Sequence, residues 1–130
     1  MPVRPLSSSV FKWPNRETVD KAVRKWASKE AKQQPGLLRL GYFGSYARGD
    51  WGVGSDLDLI AIVKESSEPF ERRSLHWDLK PLPVPAEILV YTQEEWKRLQ
   101  QEDGLFIRTL QRETVWIYKP AKTRDRETCK

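Results

Sequence analysis

Two aspartates at the start of an apolar run are the residues in this chain with the clearest chemical potential. Asp56 and Asp58 flank Leu57, and the run continues to Val63. If the run is a β-strand, side chains two positions apart lie on the same face. Two carboxylates held that close repel each other, so the pair adds nothing to an ordinary surface strand. Because Mg²⁺ prefers hard oxygen ligands, the pair predicts either a Mg²⁺ site or a solvated strand end.

A Gly-Ser turn precedes the carboxylates. Gly44 and Ser45 follow the apolar run from Leu37 to Phe43 and come just before helix-compatible residues 46–48. A helix that begins here directs unpaired backbone N–H groups, and the positive end of its dipole, at whatever lies in front of it. Glycine lets a ligand approach the backbone closely. The turn therefore suits a phosphate, although an ordinary strand-to-helix turn with Ser45 as N-cap has the same sequence.

Together the two features form a specific pattern, Gly44-Ser45-x-Ala47-Arg48-Gly49 and then Ser55-Asp56-x-Asp58-Leu59. This pattern closely resembles the signature of the minimal nucleotidyltransferases, which belong to the DNA polymerase β-like nucleotidyltransferase superfamily. It is not a P-loop, since no Gly-Lys-Ser/Thr follows, and its later glycines do not make a dinucleotide-binding fingerprint. The resemblance covers residues 37–92 strongly and the rest of the chain loosely.

The family pattern requires a third acidic residue, usually Asp, in an apolar setting on a neighbouring strand. The apolar run 86–91 supplies Glu87, which departs from the commoner Asp by one methylene. Asp78 is the alternative, but the prolines that follow it do not favour a central strand. The resemblance implies that Asp56, Asp58 and Glu87 are catalytic and hold one or two Mg²⁺ ions.

The resemblance also implies a site for ATP or another nucleoside triphosphate. Gly44 and Ser45 would cradle its β- and γ-phosphates. An acceptor hydroxyl would attack the α-phosphate, and pyrophosphate would leave. Glu87 would bind the metal nearest the acceptor or take the acceptor's proton.

Two more residues of the pattern belong to the implied nucleotide site. Arg48 would contact phosphate, or would pair with Asp50 or Asp56 and hold the loop, and the pairing role is favoured. Ser55 would cap or brace the loop that carries Asp56. The glycines of this loop would let the chain turn between the helix and the second strand.

The size of the chain bears on its partner. A length of 130 residues fits one small domain, with no obvious second domain to bind an acceptor. The chain is similar to minimal domains that act as antitoxins beside a helical HEPN (higher-eukaryote-and-prokaryote nucleotide-binding) toxin. Some of these transfer AMP from ATP to a tyrosine of the toxin. The resemblance thus implies a Mg²⁺-dependent protein adenylyltransferase with an antitoxin role.

Two other functions stay open. The first is a non-catalytic antitoxin that neutralises its partner by contact, which the glutamate at the third position supports. The second is a small-molecule nucleotidyltransferase that completes its acceptor pocket as a homodimer. Six tryptophans are many for a domain of this size, and some could lie at such an interface. Core packing is the favoured role for Trp26 and Trp116.

Composition sets limits on partners and location. The net charge is +5 and the pI is about 9.4, which is compatible with nucleotides, nucleic acid or an acidic protein. The basic residues are scattered, so support for nucleic acid is weak. One cysteine (Cys129) and one histidine (His76) exclude an internal disulfide and a Cys/His zinc centre. Because no apolar run suits a membrane span or a secretory signal, a cytoplasmic protein is expected.

Strands that alternate with helices predict an α/β fold. The resemblance implies the nucleotidyltransferase (polymerase β-like) fold, a small mixed β-sheet with packed helices in a single domain. Residues 1–14 are expected to form an extended lead-in, residues 15–119 the nucleotidyltransferase domain, and residues 120–130 a charged mobile tail. The predicted helices are 16–33 with Asn15 as N-cap, a short helix after Ser45, 70–77, a Thr92-capped helix that reaches Asp103 and is ended by Gly104, and 105–112. The predicted strands are 37–43, 57–63, 86–91 and 114–118.

Overall fold

A four-stranded mixed sheet is the centre of the computed structural model, which describes residues 14–119. The spatial order is β3-β2-β1-β4. Strand β1 runs antiparallel to β2 and to β4, whereas β2 and β3 are parallel. The strands are β1 (Leu37–Phe43), β2 (Leu57–Val63), β3 (Ala86–Thr92) and β4 (Val115–Tyr118).

Five α-helices accompany the sheet in this part of the chain, so the predicted small mixed α/β fold is confirmed. A 3₁₀ turn at Ser74–His76 replaces the last part of the helix predicted over 70–77. The helices are α1 (Arg16–Gln33), α2 (Ser45–Arg48), α3 (Phe70–Arg73), α4 (Gln93–Glu102) and α5 (Leu105–Glu113).

Helix α1 covers one face of the sheet. Its predicted N-cap is confirmed, because Asn15 Oδ1 accepts a hydrogen bond of 2.8 Å from the Thr18 N–H. The apolar side of α1 is buried in the larger of two hydrophobic clusters. That cluster includes Val19, Val23 and Trp26 of α1, Leu40 and Tyr42 of β1, and Leu57 and Leu59 of β2.

Helices α4 and α5 contribute to the second hydrophobic cluster, which uses the alternate residues of the strands. Ile60 and Ile62 of β2 pack there with Trp96, Ile107 and Leu110. Because side chains alternate along a strand, Asp58 lies on the same face as Ile60 and Ile62. The catalytic candidate on β2, Asp58, therefore lies on the α4–α5 side of the sheet, and α1 packs on the opposite face.

The α4–α5 connection corrects one prediction. Gly104 was expected to end α4, but Asp103 is the residue that adopts the left-handed conformation, with φ of 53°. Its N–H donates to the Leu99 carbonyl at 3.0 Å, and Asp is one of the residues that tolerate this region. Gly104 instead precedes α5 as its N-cap, with φ of −78°.

The N-terminus of α4 follows its sequence signature. Thr92 Oγ1 accepts a hydrogen bond from the Glu95 N–H, and Glu95 Oε1 accepts one from the Thr92 N–H, at 3.2 and 2.9 Å. The two hydrogen bonds form a capping box, and they confirm Thr92 as the predicted cap of this helix. The predicted lead-in, except for Pro14, and the predicted tail lie outside the described residues. Within residues 14–119, no helix is both long enough and apolar enough to span a bilayer.

The described tryptophans are mainly packing residues. Trp26, Trp77 and Trp96 are buried, and Trp26 and Trp77 pack with their ring centroids 6.0 Å apart. Trp116 is half-buried, with the Arg39 guanidinium 3.9 Å above its ring. Trp51 stacks on Tyr46. The core role expected of Trp26 is confirmed, and Trp116 packs against the second hydrophobic cluster.

Candidate active site

The turn between β1 and α2 is shaped by Gly44. Its φ of 80° lies in the left-handed region that favours glycine. A Cβ placed on Gly44 would overlap Asp58 Oδ2. Glycine is therefore required here for two reasons, the backbone conformation and the direct approach of the turn to the Asp58 carboxylate.

The acidic candidates meet at one end of the sheet. Asp58 pairs in register with Phe43 of β1 on one side and with Glu87 of β3 on the other. Neighbouring strands lie roughly 4.8 Å apart, so the Asp58 and Glu87 side chains leave the sheet as neighbours. Asp56 is exposed in the loop just before β2. The structure thus brings the three predicted carboxylates to one place.

The electrostatics of Asp58 reflect this crowding. Its pKa is raised above the ordinary value, first because the carboxyl is partly buried, and then because of the negative charges of Glu87 and Asp56. The positive charge of Arg48 opposes the shift. Asp58 is therefore close enough to Glu87 and to Asp56 to be repelled by both, and a cation would relieve that repulsion.

The donor set fits a hard divalent cation by its chemistry. Three carboxylates offer oxygen ligands only, which is the preference of Mg²⁺. Among residues 14–119, however, no three acidic, histidine or cysteine side chains are arranged as a ready metal cage. Binding a metal here would require side-chain rotation, most easily at exposed Asp56 and Glu87.

Asp78, the alternative third carboxylate, lies elsewhere. Its backbone carbonyl accepts a 2.7 Å hydrogen bond from Trp26 Nε1, and it lines a cavity beside α1 together with Lys25 and Glu30. Asp78 is therefore on the side of α1, and Glu87 is the candidate beside Asp58.

Two predicted nucleotide-site residues brace the loop between α2 and β2. Arg48 Nε donates to Asp50 Oδ2 at 3.1 Å, which is one of the two pairings expected for Arg48. Ser55 Oγ accepts a 2.8 Å hydrogen bond from the Gly52 N–H, as expected of a residue that braces this loop. Direct contact of either residue with a nucleotide stays a prediction.

Glu113 is a site residue that the sequence interpretation missed. Its Oε2 accepts a 2.9 Å hydrogen bond from the Gly44 N–H and lies 3.5 Å from Arg48 Nη1. Glu113 is the last residue of α5, one position beyond the predicted helix end. The available signal was helical spacing, because residues 106, 109, 110 and 113 lie on one face of a helix.

A cavity of about 450 Å³ lies between the β1–α2 turn and α5. Its volume is in the range of small-ligand sites. Two larger openings, about 590 Å³ each, are lined by α1 and contain neither Asp56 nor Asp58. The chemistry of the lining, and not its size, therefore identifies the candidate site. The lining residues are Phe43, Gly44, Ser45, Arg48, Asp56, Asp58, Phe106, Thr109, Leu110 and Glu113.

Two solved structures share this fold. A proposed nucleotidyltransferase from Sulfolobus solfataricus superposes with a TM-score of 0.60 at 20% sequence identity, over 82% of this chain and 86% of that one. A toxin–antitoxin solved with AMP-PNP gives a TM-score of 0.54 at 12% identity, over 78% of this chain and 77% of that one. At these identities the likeness shows the fold alone.

The sequence itself gives the family. No curated protein matches this chain significantly. The nucleotidyltransferase domain family, in contrast, matches residues 24–117, which include the whole sheet apart from the end of β4 and every candidate residue described above. This chain belongs to the nucleotidyltransferase domain family.

Proposed function

We propose that this protein transfers AMP from ATP to a hydroxyl of a partner protein, using Mg²⁺. The observation that carries the proposal is the position of Asp58, which lies beside Glu87 and directly under the Gly44 turn. Family members generally combine a nucleoside triphosphate with a divalent metal. The choice of ATP, the protein acceptor and the individual residue roles are the proposed parts.

In this proposal the carboxylates hold the metal and the turn holds the triphosphate. Asp56, Asp58 and Glu87 would hold Mg²⁺, which when bound neutralises charge that develops on the α-phosphate. The Gly44 and Ser45 backbone would receive the β- and γ-phosphates. Asp58 is fixed by its contact with the turn, so metal and phosphate would be held in a constant relation.

In this proposal Glu87 is the residue that meets the acceptor. It is exposed on β3, which is an edge strand of the sheet, so a large acceptor can reach it. In the reaction the acceptor oxygen bonds to the α-phosphorus, and the bond from that phosphorus to the bridging oxygen of the β-phosphate breaks. Pyrophosphate leaves, and Glu87 takes the acceptor proton.

We propose a HEPN-type toxin as the partner, with this chain as its antitoxin. The sequence pattern from Gly44 to Leu59 supports this role by its resemblance to the minimal nucleotidyltransferases. The structural likeness to a toxin–antitoxin solved with AMP-PNP agrees with an ATP-dependent antitoxin. A protein acceptor also suits the exposed position of Glu87.

The test is a transfer assay. The purified chain is incubated with a purified HEPN-type toxin, each α-labelled nucleoside triphosphate in turn and Mg²⁺, and label on protein is measured. Label from ATP is expected. Asp56→Asn and Glu87→Gln should each lower the rate by roughly a hundredfold or more, the equivalent of about 3 kcal/mol of transition-state stabilisation.

Asp78→Asn is the matched control, because it removes a carboxylate that lies beside α1. It should keep the wild-type rate. Full transfer by Asp56→Asn would contradict the proposed chemistry. Label from all four triphosphates at similar rates would contradict the choice of ATP, and label on a small molecule only would contradict the protein acceptor.

A non-catalytic antitoxin is the second candidate. It is favoured by the hydrogen bond from the Gly44 N–H to Glu113, because this bond occupies a donor that a phosphate would use. Such a protein would neutralise its partner by contact, without using the nucleotide site. Co-expression of Asp58→Ala with the toxin separates the two functions. Full protection by this variant would favour neutralisation by contact, whereas lost protection with retained binding would favour catalysis.

A further inference from the structure

Glu113 reaches the candidate nucleotide site from outside the sequence pattern that defines it. Its carboxylate oxygen Oε2 contacts both the Gly44 N–H, at 2.9 Å, and Arg48 Nη1, at 3.5 Å. The Glu113 side chain is only 13% exposed, so the contact is held within the structure. An anion with a backbone N–H and a guanidinium as its partners is bound in the way that a phosphate oxygen would be.

The position of Glu113 in α5 does not account for this contact. The C-terminal end of a helix carries partial negative charge, so a carboxylate in the last turn is unfavourable there. Glu113 also adds to the negative charge that raises the pKa of Asp58. Neither effect stabilises the fold, so the contact with Gly44 and Arg48 is the favourable interaction of this side chain.

We propose that Glu113 is an internal competitor of the triphosphate, which occupies the Gly44 N–H and Arg48 and is displaced when nucleotide binds. This inference rests on the proposed function, because it assumes that phosphate oxygens use the Gly44 turn. The Gly44 N–H has one hydrogen to donate. Glu113 and a phosphate oxygen therefore cannot both take it fully.

The affinity for nucleotide depends on how often Glu113 leaves the Gly44 turn. If Glu113 holds the turn most of the time, the apparent Kd for nucleotide is raised by the inverse of the fraction in which the turn is open. Removal of Glu113 should then tighten binding. A purely structural role predicts the opposite, since loss of a brace on the turn would weaken binding.

The experiment is calorimetric titration of wild type, Glu113→Gln and Glu113→Ala with a non-hydrolysable ATP analogue and Mg²⁺. Inorganic tripolyphosphate serves as a second probe, because the competition concerns phosphate and not the base. Glu113→Ala should bind both probes roughly three- to tenfold more tightly, in line with a turn that is open for a minor fraction of the time in wild type.

Asp50→Asn is the matched control for charge. It removes one negative charge that pairs with the same arginine, but Asp50 makes no hydrogen bond to Gly44. Any simple gain from lower negative charge should appear in both variants. If Glu113→Ala binds the two probes more tightly than Asp50→Asn does, the result supports competition for the Gly44 N–H. If the two variants gain the same affinity, the inference is overturned.

The remaining outcomes separate this inference from the proposed function. Nucleotide binding by wild type that is lost in Asp56→Asn/Asp58→Asn, together with unchanged or weaker binding in folded Glu113→Ala, overturns the inference alone. Absence of nucleotide binding in wild type and in folded Glu113→Ala overturns both. If Glu113→Ala unfolds, Glu113→Gln is the folded variant for the comparison. It keeps a neutral acceptor for the Gly44 N–H but loses the charge that pairs with Arg48, so it should still bind both probes more tightly than wild type and Asp50→Asn, and binding no tighter than that of Asp50→Asn overturns the inference.

Discussion

Gly44 is the residue on which the geometry of the site depends most directly. Gly44→Ala must adopt φ of 80° and must also push its Cβ away from Asp58 Oδ2. We expect a loss of about 2 to 4 kcal/mol in the free energy of unfolding, from backbone strain and overpacking together. Urea unfolding measures the stability, and calorimetry measures the accompanying loss of nucleotide binding.

Gly49→Ala is the control for a positive φ without a collision, although its backbone (ψ of 7°) differs from that of Gly44 (ψ of −153°). Gly49 also has positive φ, 90°, but a Cβ there would meet no atom within 4 Å. This variant should cost about 1 to 2 kcal/mol, the strain of the left-handed region alone. If both variants lost the same stability, the contact between the Gly44 turn and Asp58 would contribute nothing.

Asp58 should lower the stability of the metal-free protein. Burial and then the charges of Glu87 and Asp56 raise the pKa of Asp58 above 3.8, so the folded state favours its protonated form. The stability that this group contributes is fully present below the unfolded value and is lost as pH rises through the raised folded value. Asp58→Asn should therefore be more stable than wild type at pH 7.

The expected gain for Asp58→Asn is about 1 kcal/mol, or a few degrees in Tm, as is common for substitutions that relieve a strained site. Thermal unfolding at several pH values in EDTA measures it. The stability difference should shrink as pH falls through the raised folded value and should be gone below 3.8, the ordinary value for the carboxyl. A variant less stable than wild type at pH 7 would show that Asp58 has a favourable partner in the metal-free state.

At the level of elements, Arg73 joins α3, β3 and α4. Its side chain is 8% exposed, and it pairs with both carboxylate oxygens of Glu95, at 2.7 and 3.1 Å. Arg73 Nη1 also donates to the Val90 carbonyl of β3 at 3.0 Å. Because β3 carries Glu87, this arginine helps fix the strand that supplies the third carboxylate.

Arg73→Ala should cost about 2 to 4 kcal/mol in the free energy of unfolding, since the Val90 carbonyl loses this donor and the Glu95 carboxylate loses its buried cation, keeping the hydrogen bond from the Thr92 N–H. Arg72→Ala is the control. Arg72 is 62% exposed and lies 3.6 Å from Glu68, so its loss should cost no more than about 0.5 kcal/mol. Urea unfolding of both variants measures the two losses of stability. A larger loss for Arg73→Ala would show that burial of the arginine, and not its charge alone, determines the effect.

The Arg73–Glu95 pair also makes the stability of the protein depend on pH. The hydrogen bond from Arg73, more than any other cause, lowers the pKa of Glu95 below 4.5. This stabilisation is present above the unfolded value and is lost as pH falls through the lowered folded value. The stability difference between wild type and Arg73→Ala should therefore narrow in acid. A constant difference from pH 7 to pH 3 would assign the loss to packing only.

The helices and strands that could be predicted from the sequence are those marked by short, local patterns of residues. Continuous apolar runs located β1 and β2, Asn15 located the start of α1, and the Thr92–Glu95 capping box located the start of α4. Residue pairs such as Gly44 and Glu113, which lie 69 positions apart, leave no local signal. Their contact depends on how α5 crosses the sheet, and side-chain periodicity alone does not determine that crossing.

In the whole molecule, the two faces of the sheet differ in what they carry. The α1 face of the sheet holds most of the core, whereas the α4–α5 face carries the carboxylates and the turn. The family resemblance led us to expect Glu87 on a strand next to that of Asp58, but it gave no register, and the proline-containing loop between β2 and β3 carries no register signal. The structure pairs Glu87 with Asp58. Whether Glu87 acts in catalysis stays a prediction.

Ligand binding should therefore stabilise the whole fold through one end of the sheet. A ligand that binds only the folded state adds about 2.7 kcal/mol at a concentration 100 times its Kd, or roughly 10 °C in Tm for a domain of this size. We expect that rise for wild type with a non-hydrolysable ATP analogue and Mg²⁺. Replacement of Mg²⁺ by EDTA should remove most of it, because phosphate would then meet unscreened carboxylates.

Asp58→Asn should raise the Tm of the ligand-free protein and lower the Tm of the protein with nucleotide and Mg²⁺, each relative to wild type. Its Tm without ligand should lie above that of wild type, and its rise with nucleotide and Mg²⁺ should be small. Damage to the fold would instead lower the ligand-free Tm, so this combination distinguishes a lost binding site from a lost structure. A full nucleotide-dependent rise in Asp58→Asn, or in EDTA, would mean that nucleotide binds without the carboxylate cluster, and the proposed chemistry would then have no metal site to use.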